Sequence, residues 1–109
     1  MFHWNQINSN SQLEEIDTLS FEKNVVIFKH STRCSISVMV LNRLERETQP
    51  NNIIFYYLDL IQHRDISNTI AEKYHVHHES PQCLIIKNGE CIYDESHNGI
   101  SMEDIQDNV

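Results

Sequence analysis

The chain has 109 residues, 39% of them apolar, enough for one hydrophobic core with no length left for a second. Acidic residues outnumber basic ones 16 to 8, and a formal charge of −8 works against a general phosphate-backbone binder, so nucleic acid is not expected as a partner. No apolar run approaches the roughly 20 residues that span a bilayer, and the amino end, Met1-Phe2-His3-Trp4-Asn5-Gln6, has neither a basic n-region nor an apolar h-region, so a cytoplasmic protein without a membrane partner is expected.

With two glycines, two prolines, and no repeat or low-complexity stretch, residues 1–109 are expected to form one domain. Trp4 to Ile7 reads as a short strand. Ser11-Gln12-Leu13-Glu14 has the pattern of a capping box, opening a helix in which Leu13, Ile16 and Leu19 recur at three-residue spacing and which ends near Ser20. Val25-Val26-Ile27-Phe28 is β-branched and aromatic without alternation, which predicts a central strand covered on both faces. His30-Ser31-Thr32-Arg33 follows as a polar, solvent-facing turn. From Cys34 to near Glu47 there is no Gly or Pro, and Ile36, Val40 and Leu44 fall at i, i+4, i+8 as a packed helix requires. Pro50 and two asparagines stop it. Ile53 to Leu58 reads as a second buried strand, and Ile66, Ile70, Ala71 and Tyr74 as the apolar stripe of a second crossover helix. This order implies parallel strands. Cys83 to Lys87 and Glu90 to Asp94 flank Asn88-Gly89, the pair that best tolerates the positive φ angles of a type I′ turn, which predicts an antiparallel hairpin. Ser101-Met102-Glu103-Asp104 opens a short final helix. The predicted fold class is α/β: a central mixed β-sheet flanked by helices on both faces.

Three cysteines at these spacings suit neither a disulfide-stapled secreted domain nor the close pairs of a zinc site, so at least one thiol should be free. In thiol–disulfide exchange the thiolate is the nucleophile, and a redox cysteine therefore needs surroundings that favour negative charge. Cys34 stands where a buried strand hands over to a helix. Unpaired N–H groups and the helix dipole favour an anion there, and Arg33 adds a cation. A buried structural cysteine is the plainer alternative, against which the polar residues at 30 to 33 and at 35 speak. Cys34-Ser35-Ile36-Ser37 has the spacing of the two-cysteine redox motif with serine in the second place. Such a string is common by chance and gains weight from its position after a buried strand. Ser37 has no sulfur with which to resolve a mixed disulfide.

Val76-His77-His78-Glu79-Ser80-Pro81-Gln82 runs directly into the hairpin. A proline here belongs at the strand entrance, because it cannot donate to a ladder, and a cis bond from Ser80 would make the required bend; an ordinary trans-proline loop is the alternative. With Ile85-Ile86-Lys87-Asn88-Gly89 behind it, the segment resembles the cis-proline and hairpin of thioredoxins. Together with Phe28-Lys29-His30-Ser31-Thr32-Arg33-Cys34-Ser35-Ile36-Ser37 and Ser96-His97, it resembles the monothiol bacilliredoxins of the bacillithiol system. The resemblance implies a thioredoxin-like fold and a monothiol oxidoreductase that removes bacillithiol, or a similar small thiol, from protein mixed disulfides. Cys34 would be its catalytic nucleophile, with Arg33, Ser35, Ser37, Ser80, Pro81 and His97 around the substrate. S-thiolated proteins and a low-molecular-weight thiol would be the partners, bacillithiol serving as co-substrate, with no tightly bound cofactor and a monomeric chain. The family usually flanks its cysteine with threonine and proline, where this chain has Arg33 and Ser35.

The remaining candidates each have a plainer reading. His75, His77 and His78 lack a carboxylate or thiol at recognisable ligand spacing, so a solvated turn is expected and no metal. Cys83 and Cys91, on predicted strands, read as small apolar core residues, with Cys83 the better candidate for a distant resolving thiol. His97 is either a substrate contact or a polar loop residue. Two other functions are open at this point: an iron–sulfur cluster carrier with one cysteine per subunit, as in monothiol glutaredoxins, whose Gly-Phe pair between Cys and Ser is absent here, and a thioredoxin-like interaction domain with an inert thiol.

Overall fold

In the computed structural model, which describes residues 1–109, five strands form one mixed sheet: β1 (Asn5–Gln6), β2 (Asn24–His30), β3 (Ile53–Asp59), β4 (Gln82–Lys87) and β5 (Glu90–Ser96), in the order β1-β3-β2-β4-β5. β1, β2 and β3 are mutually parallel, whereas β4 runs antiparallel to β2 and β5 antiparallel to β4. Parallel neighbours need long connections, and α2 (Ser35–Glu45) joins β2 to its neighbour β3, while α1 (Ser11–Leu19) carries the chain from β1 past β3 to β2 and α3 (Arg64–Tyr74) from β3 past β2 to the antiparallel β4. The β4–β5 turn needs only Asn88 (φ 53°) and Gly89 (φ 77°), both in the left-handed region that their residue types tolerate. A 3-10 turn at His97–Gly99 and α4 (Met102–Asp107) complete the chain.

Alternation along each strand sends side chains to two cores. On one face Val25, Ile27, Tyr56, Leu58, Leu84 and Ile86 meet Leu13 and Ile16 of α1 and Ile66, Ile70 and Tyr74 of α3. On the other, Val26, Phe28, Phe55, Cys83 and Ile85 meet Val40 and Leu44 of α2 and Met102 and Ile105 of α4. The first face is clipped by Asp17, which accepts the Tyr74 hydroxyl at 2.6 Å and pairs with Lys73 at 2.6 Å. The second is extended by an aromatic group in which Trp4 packs against Phe28, Phe55 and Tyr57 and donates its indole N–H to Glu45 at 2.8 Å. β2 is central, and every residue from Val25 to His30 is buried, as its unbroken apolar start predicts. No helix is long and apolar enough to cross a membrane.

Several boundaries differ from expectation. β1 is reduced to two residues, although the Ile7 N–H still donates to Tyr57 at 2.9 Å. Ser11 is the first residue of α1 rather than its cap: Asn10 takes the cap position without a side-chain bond, and the preceding turn is tied instead by Gln12, whose Oε1 accepts from the Asn8 and Ser9 N–H groups. By contrast Ser101 does cap α4, accepting from the Asp104 N–H at 3.1 Å. The largest difference lies at the end of β2, which continues through Lys29 and His30. His30 and Ser31, expected in a solvent-facing turn, are buried, and only Thr32 and Arg33 of that turn are exposed.

Candidate active site

The site collects at the end of the sheet where the parallel strands finish, the usual place for function in α/β folds. His30 closes β2, its carbonyl accepting from the Leu60 N–H at 2.9 Å, so the turns after β2 and β3 start together. Lys29 pairs with Gln82 and Gln82 with Ser96. One residue further on, the His97 N–H donates to the Pro81 carbonyl at 2.9 Å. The Cys34 turn, the Ser80-Pro81 entrance to β4 and the His97 turn thus share one edge of the molecule. The Ser80–Pro81 peptide bond is cis.

Cys34 is the N-cap residue of α2, half-buried and extended (φ −106°, ψ 119°). Its N–H donates to Ser31 O at 3.2 Å, and its carbonyl accepts the Val38 N–H at 3.0 Å, the first bond of the helix. Its side chain makes no capping bond. Arg33 and Ser35 on either side are exposed. Ile36 and Met39, on the first turns of α2, leave 40% and 45% of their surfaces uncovered, giving the neighbourhood of the thiol an apolar collar.

Ser37 is placed otherwise. It is fully buried, its hydroxyl accepts the Ser31 N–H at 3.0 Å, and it is hydrogen-bonded to His30 Nδ1 at 2.7 Å. Position 37 therefore stitches the first turn of α2 to the end of β2 and presents nothing to solvent. His30, between the Phe28 and Tyr57 rings at 6.0 and 5.6 Å, has its pKa lowered by burial, an effect the Asp59 and Glu45 carboxylates oppose. On the opposite face Lys29 is completely buried and donates to His78 Nδ1 at 3.0 Å, a nitrogen the Ser67 hydroxyl approaches at 3.2 Å. Burial, reinforced by Arg64, pushes the Lys29 ammonium down to about 8.

The three histidines of the loop before β4 separate. His75 ends α3 in a left-handed conformation (φ 56°) and is exposed, as is His77, but His78 turns inward to Lys29. Glu79 lies between His77 and His97, at 3.8 and 3.5 Å. No group of three His, Cys, Asp or Glu side chains is arranged to hold a metal ion. Of the other thiols, Cys83 lies in the α2 and α4 core, pushed up to about 12 by burial, and Cys91 is half-buried, raised by the same cause to about 11 and donating to Tyr93 O at 3.3 Å. All three cysteines are free.

Lys29 and His30 are not among the site residues expected from the sequence because polar residues after an apolar run look like the start of a turn, and Gln82 because a polar residue before such a run looks like the end of one. The available signal was register: a strand paired on both sides continues as far as its partners do, and Ile53 to Leu58 is as long as the run from Asn24 to Lys29.

The profile of monothiol bacilliredoxin BrxC matches residues 5–105. Among solved structures the chain is similar to a protein assigned as an oxidoreductase with a thioredoxin fold: 31% identity and a TM-score of 0.83 over 94% of this chain and 90% of that one. It also shares its fold with the Malassezia sympodialis thioredoxin Mala s 13 (20% identity, TM-score 0.74, 98% of this chain and 88% of that one). Fasciola hepatica thioredoxin gives 16% identity and a TM-score of 0.72, over 94% and 93%. The fold is thioredoxin-like and the chemistry is thiol redox chemistry, and a match spanning almost all of the chain makes it a member of the monothiol bacilliredoxin family.

Proposed function

We propose that this protein removes bacillithiol, or a small thiol like it, from protein mixed disulfides through Cys34 alone. The observation that supports this most is the fate of position 37: the place of a resolving thiol is filled by a buried serine committed to His30 and Ser31, while Cys34 stands half-open at a helix cap. The cap side chain of α2 makes no bond to the first-turn N–H groups that such a side chain ordinarily answers.

The Cys34 thiolate attacks the small-thiol sulfur of the mixed disulfide. One S–S bond forms as another breaks, the small thiol passes to Cys34, and the target leaves as a thiolate that takes a proton from water. A second small thiolate then attacks the Cys34 adduct, restoring Cys34 and releasing a small-molecule disulfide. Arg33, Ser35, Ser80, Pro81 and His97 border the path of the adduct, and Ile36 and Met39 give an apolar surface to the target protein. The chain is expected to work as a monomer without a bound cofactor.

Mixing reduced protein with a bacillithiol-modified target should free the target and add one bacillithiol to Cys34, read by mass. Cys34→Ala should abolish the transfer. Equal transfer by that variant would sink the mechanism, and transfer from glutathione adducts alone would keep it with a different small thiol.

A further inference from the structure

Lys29 is hard to account for by folding. It sits in the central strand, fully buried, in register with Leu58 on one side and Gln82 on the other, and it has no carboxylate partner. Its single hydrogen-bond acceptor is a neutral imidazole nitrogen. A buried ammonium held this way costs the fold stability that an apolar side chain of similar size would not. The charged groups around it are Arg64 from α3, which disfavours its charge, and Glu79, which favours it, with His77 beyond His78.

What Lys29 does hold is the loop from Val76 to Pro81. Its ammonium fixes the His78 ring, and its register partner Gln82 donates from Nε2 to the His77 carbonyl at 2.9 Å. Two neighbouring buried side chains thus pin consecutive loop residues from beneath, while Glu79 is engaged from the solvent side by His77 and His97. Three residues past His78 comes Pro81, whose carbonyl carries the His97 turn. Ser80, between them, has a buried hydroxyl with no protein partner.

We propose that Lys29 is a positioning residue for disulfide exchange: through His78 it holds the 77–80 loop against the partner bound at Cys34, at the expense of stability. This rests on the exchange reading above. Lys29 does not touch the reacting sulfurs, so its loss should weaken the grip on a protein substrate and leave the reactivity of Cys34 itself in place.

The test compares wild type, Lys29→Met, His78→Ala and the double variant. With a bacillithiol-modified protein as substrate, Lys29→Met should raise KM about tenfold with kcat within about threefold, and iodoacetamide should alkylate Cys34 within about twofold of the wild-type rate. Its melting temperature should equal or exceed that of wild type. His78→Ala should reproduce the KM effect, and the double variant should add little, because the two residues act as one unit. Unchanged KM in Lys29→Met would overturn the proposal. So would a loss of exchange, alkylation and melting temperature together, which would mark Lys29 as purely structural. Failure of wild type to exchange at all would instead strike the function proposed for Cys34.

Discussion

Cys34 follows β2 and Cys83 lies in β4, the strand paired with it, yet their surroundings are opposite. Cys34 lies just past the end of β2, half-exposed, where a helix begins and backbone donors stand open. Cys83 lies one residue inside β4, facing Phe28 across the ladder and enclosed by the α2 and α4 core. The exchange proposed for Cys34 makes the same side chain a nucleophile in one place and packing in the other. A thiol's chemistry here follows from whether a strand has ended before it, and the difference suggests experiments that act on the two sites separately.

The widest expected gap is in labelling. Iodoacetamide at neutral pH should modify Cys34 in the folded protein, while Cys83 waits for the core to open and reacts slower by about a thousandfold or more, in line with the opening free energies of central strands. Peptide mapping after timed quenching gives both rates. Comparable rates at the two positions would mean that Cys83 is reachable, and would return it to consideration as a resolving thiol.

A second separation is in pH. Burial raises Cys83 from 9.0 to about 12, so the folded state keeps a proton that the unfolded state gives up. The stability contributed by the protonated thiol is whole below pH 9 and falls as pH rises toward 12, by about 1.4 kcal/mol per unit once the unfolded thiol has ionised. Denaturant midpoints should therefore drop between pH 9 and 11 by the equivalent of about 2 kcal/mol from this group. Lys29 acts with the opposite sign: its pKa is lowered from 10.5 to about 8, the unfolded state binds the extra proton, and stability gains as pH rises through that interval. Cys83→Ala should flatten the fall, and Lys29→Met should remove the gain. A fall of the same slope in Cys83→Ala would assign it to Cys91 and Tyr93, which burial pushes up to about 11 and about 12.

Most of the architecture was legible in the residues. The continuous apolar run at Val25, the i, i+4, i+8 series in α2 and the Asn88-Gly89 turn each dictate one element with little competition, and the order of elements then leaves few topologies. Cys34 was legible because a strand-to-helix junction is a local feature. What sequence could not supply was the direction of polar side chains in paired segments. Ser37 and His30 look exposed as residue types and are buried because each satisfies the other; Lys29 and His78 lie 49 positions apart and meet only through the β2–β4 pairing. Such pairs are long-range and polar, so no periodicity reports them.

Ser37 is where this matters for stability. Ser37→Ala removes the acceptor of the buried Ser31 N–H and the partner of His30 Nδ1. Leaving such groups unpaired should cost about 2 kcal/mol, measured as a shift in urea midpoint at constant m-value. A loss below about 0.5 kcal/mol would show that water replaces the hydroxyl, at odds with the burial seen.

The smallest effect should belong to Cys91, which bridges the two extremes. It is half-buried at the margin of the α1 and α3 core, its thiol donates to the Tyr93 carbonyl, and burial raises it to about 11. β5 is an edge strand outboard of β4, and Cys91 lies near its start, opposite Ile86, which pairs with Val25 at the end of β2 remote from the Cys34 turn. Cys91→Ala loses one sulfur's worth of partial packing and a weak hydrogen bond, about 1 kcal/mol or less. Exchange should stay within about twofold of wild type, because the variant alters neither the α2 cap nor the Ser80-Pro81 entrance. Paired measurements of melting temperature and exchange rate would show a small fall in the first alone. A fall in the rate without one in stability would place Cys91 in the thiol cycle and dissolve the contrast between one reactive thiol and two packed ones.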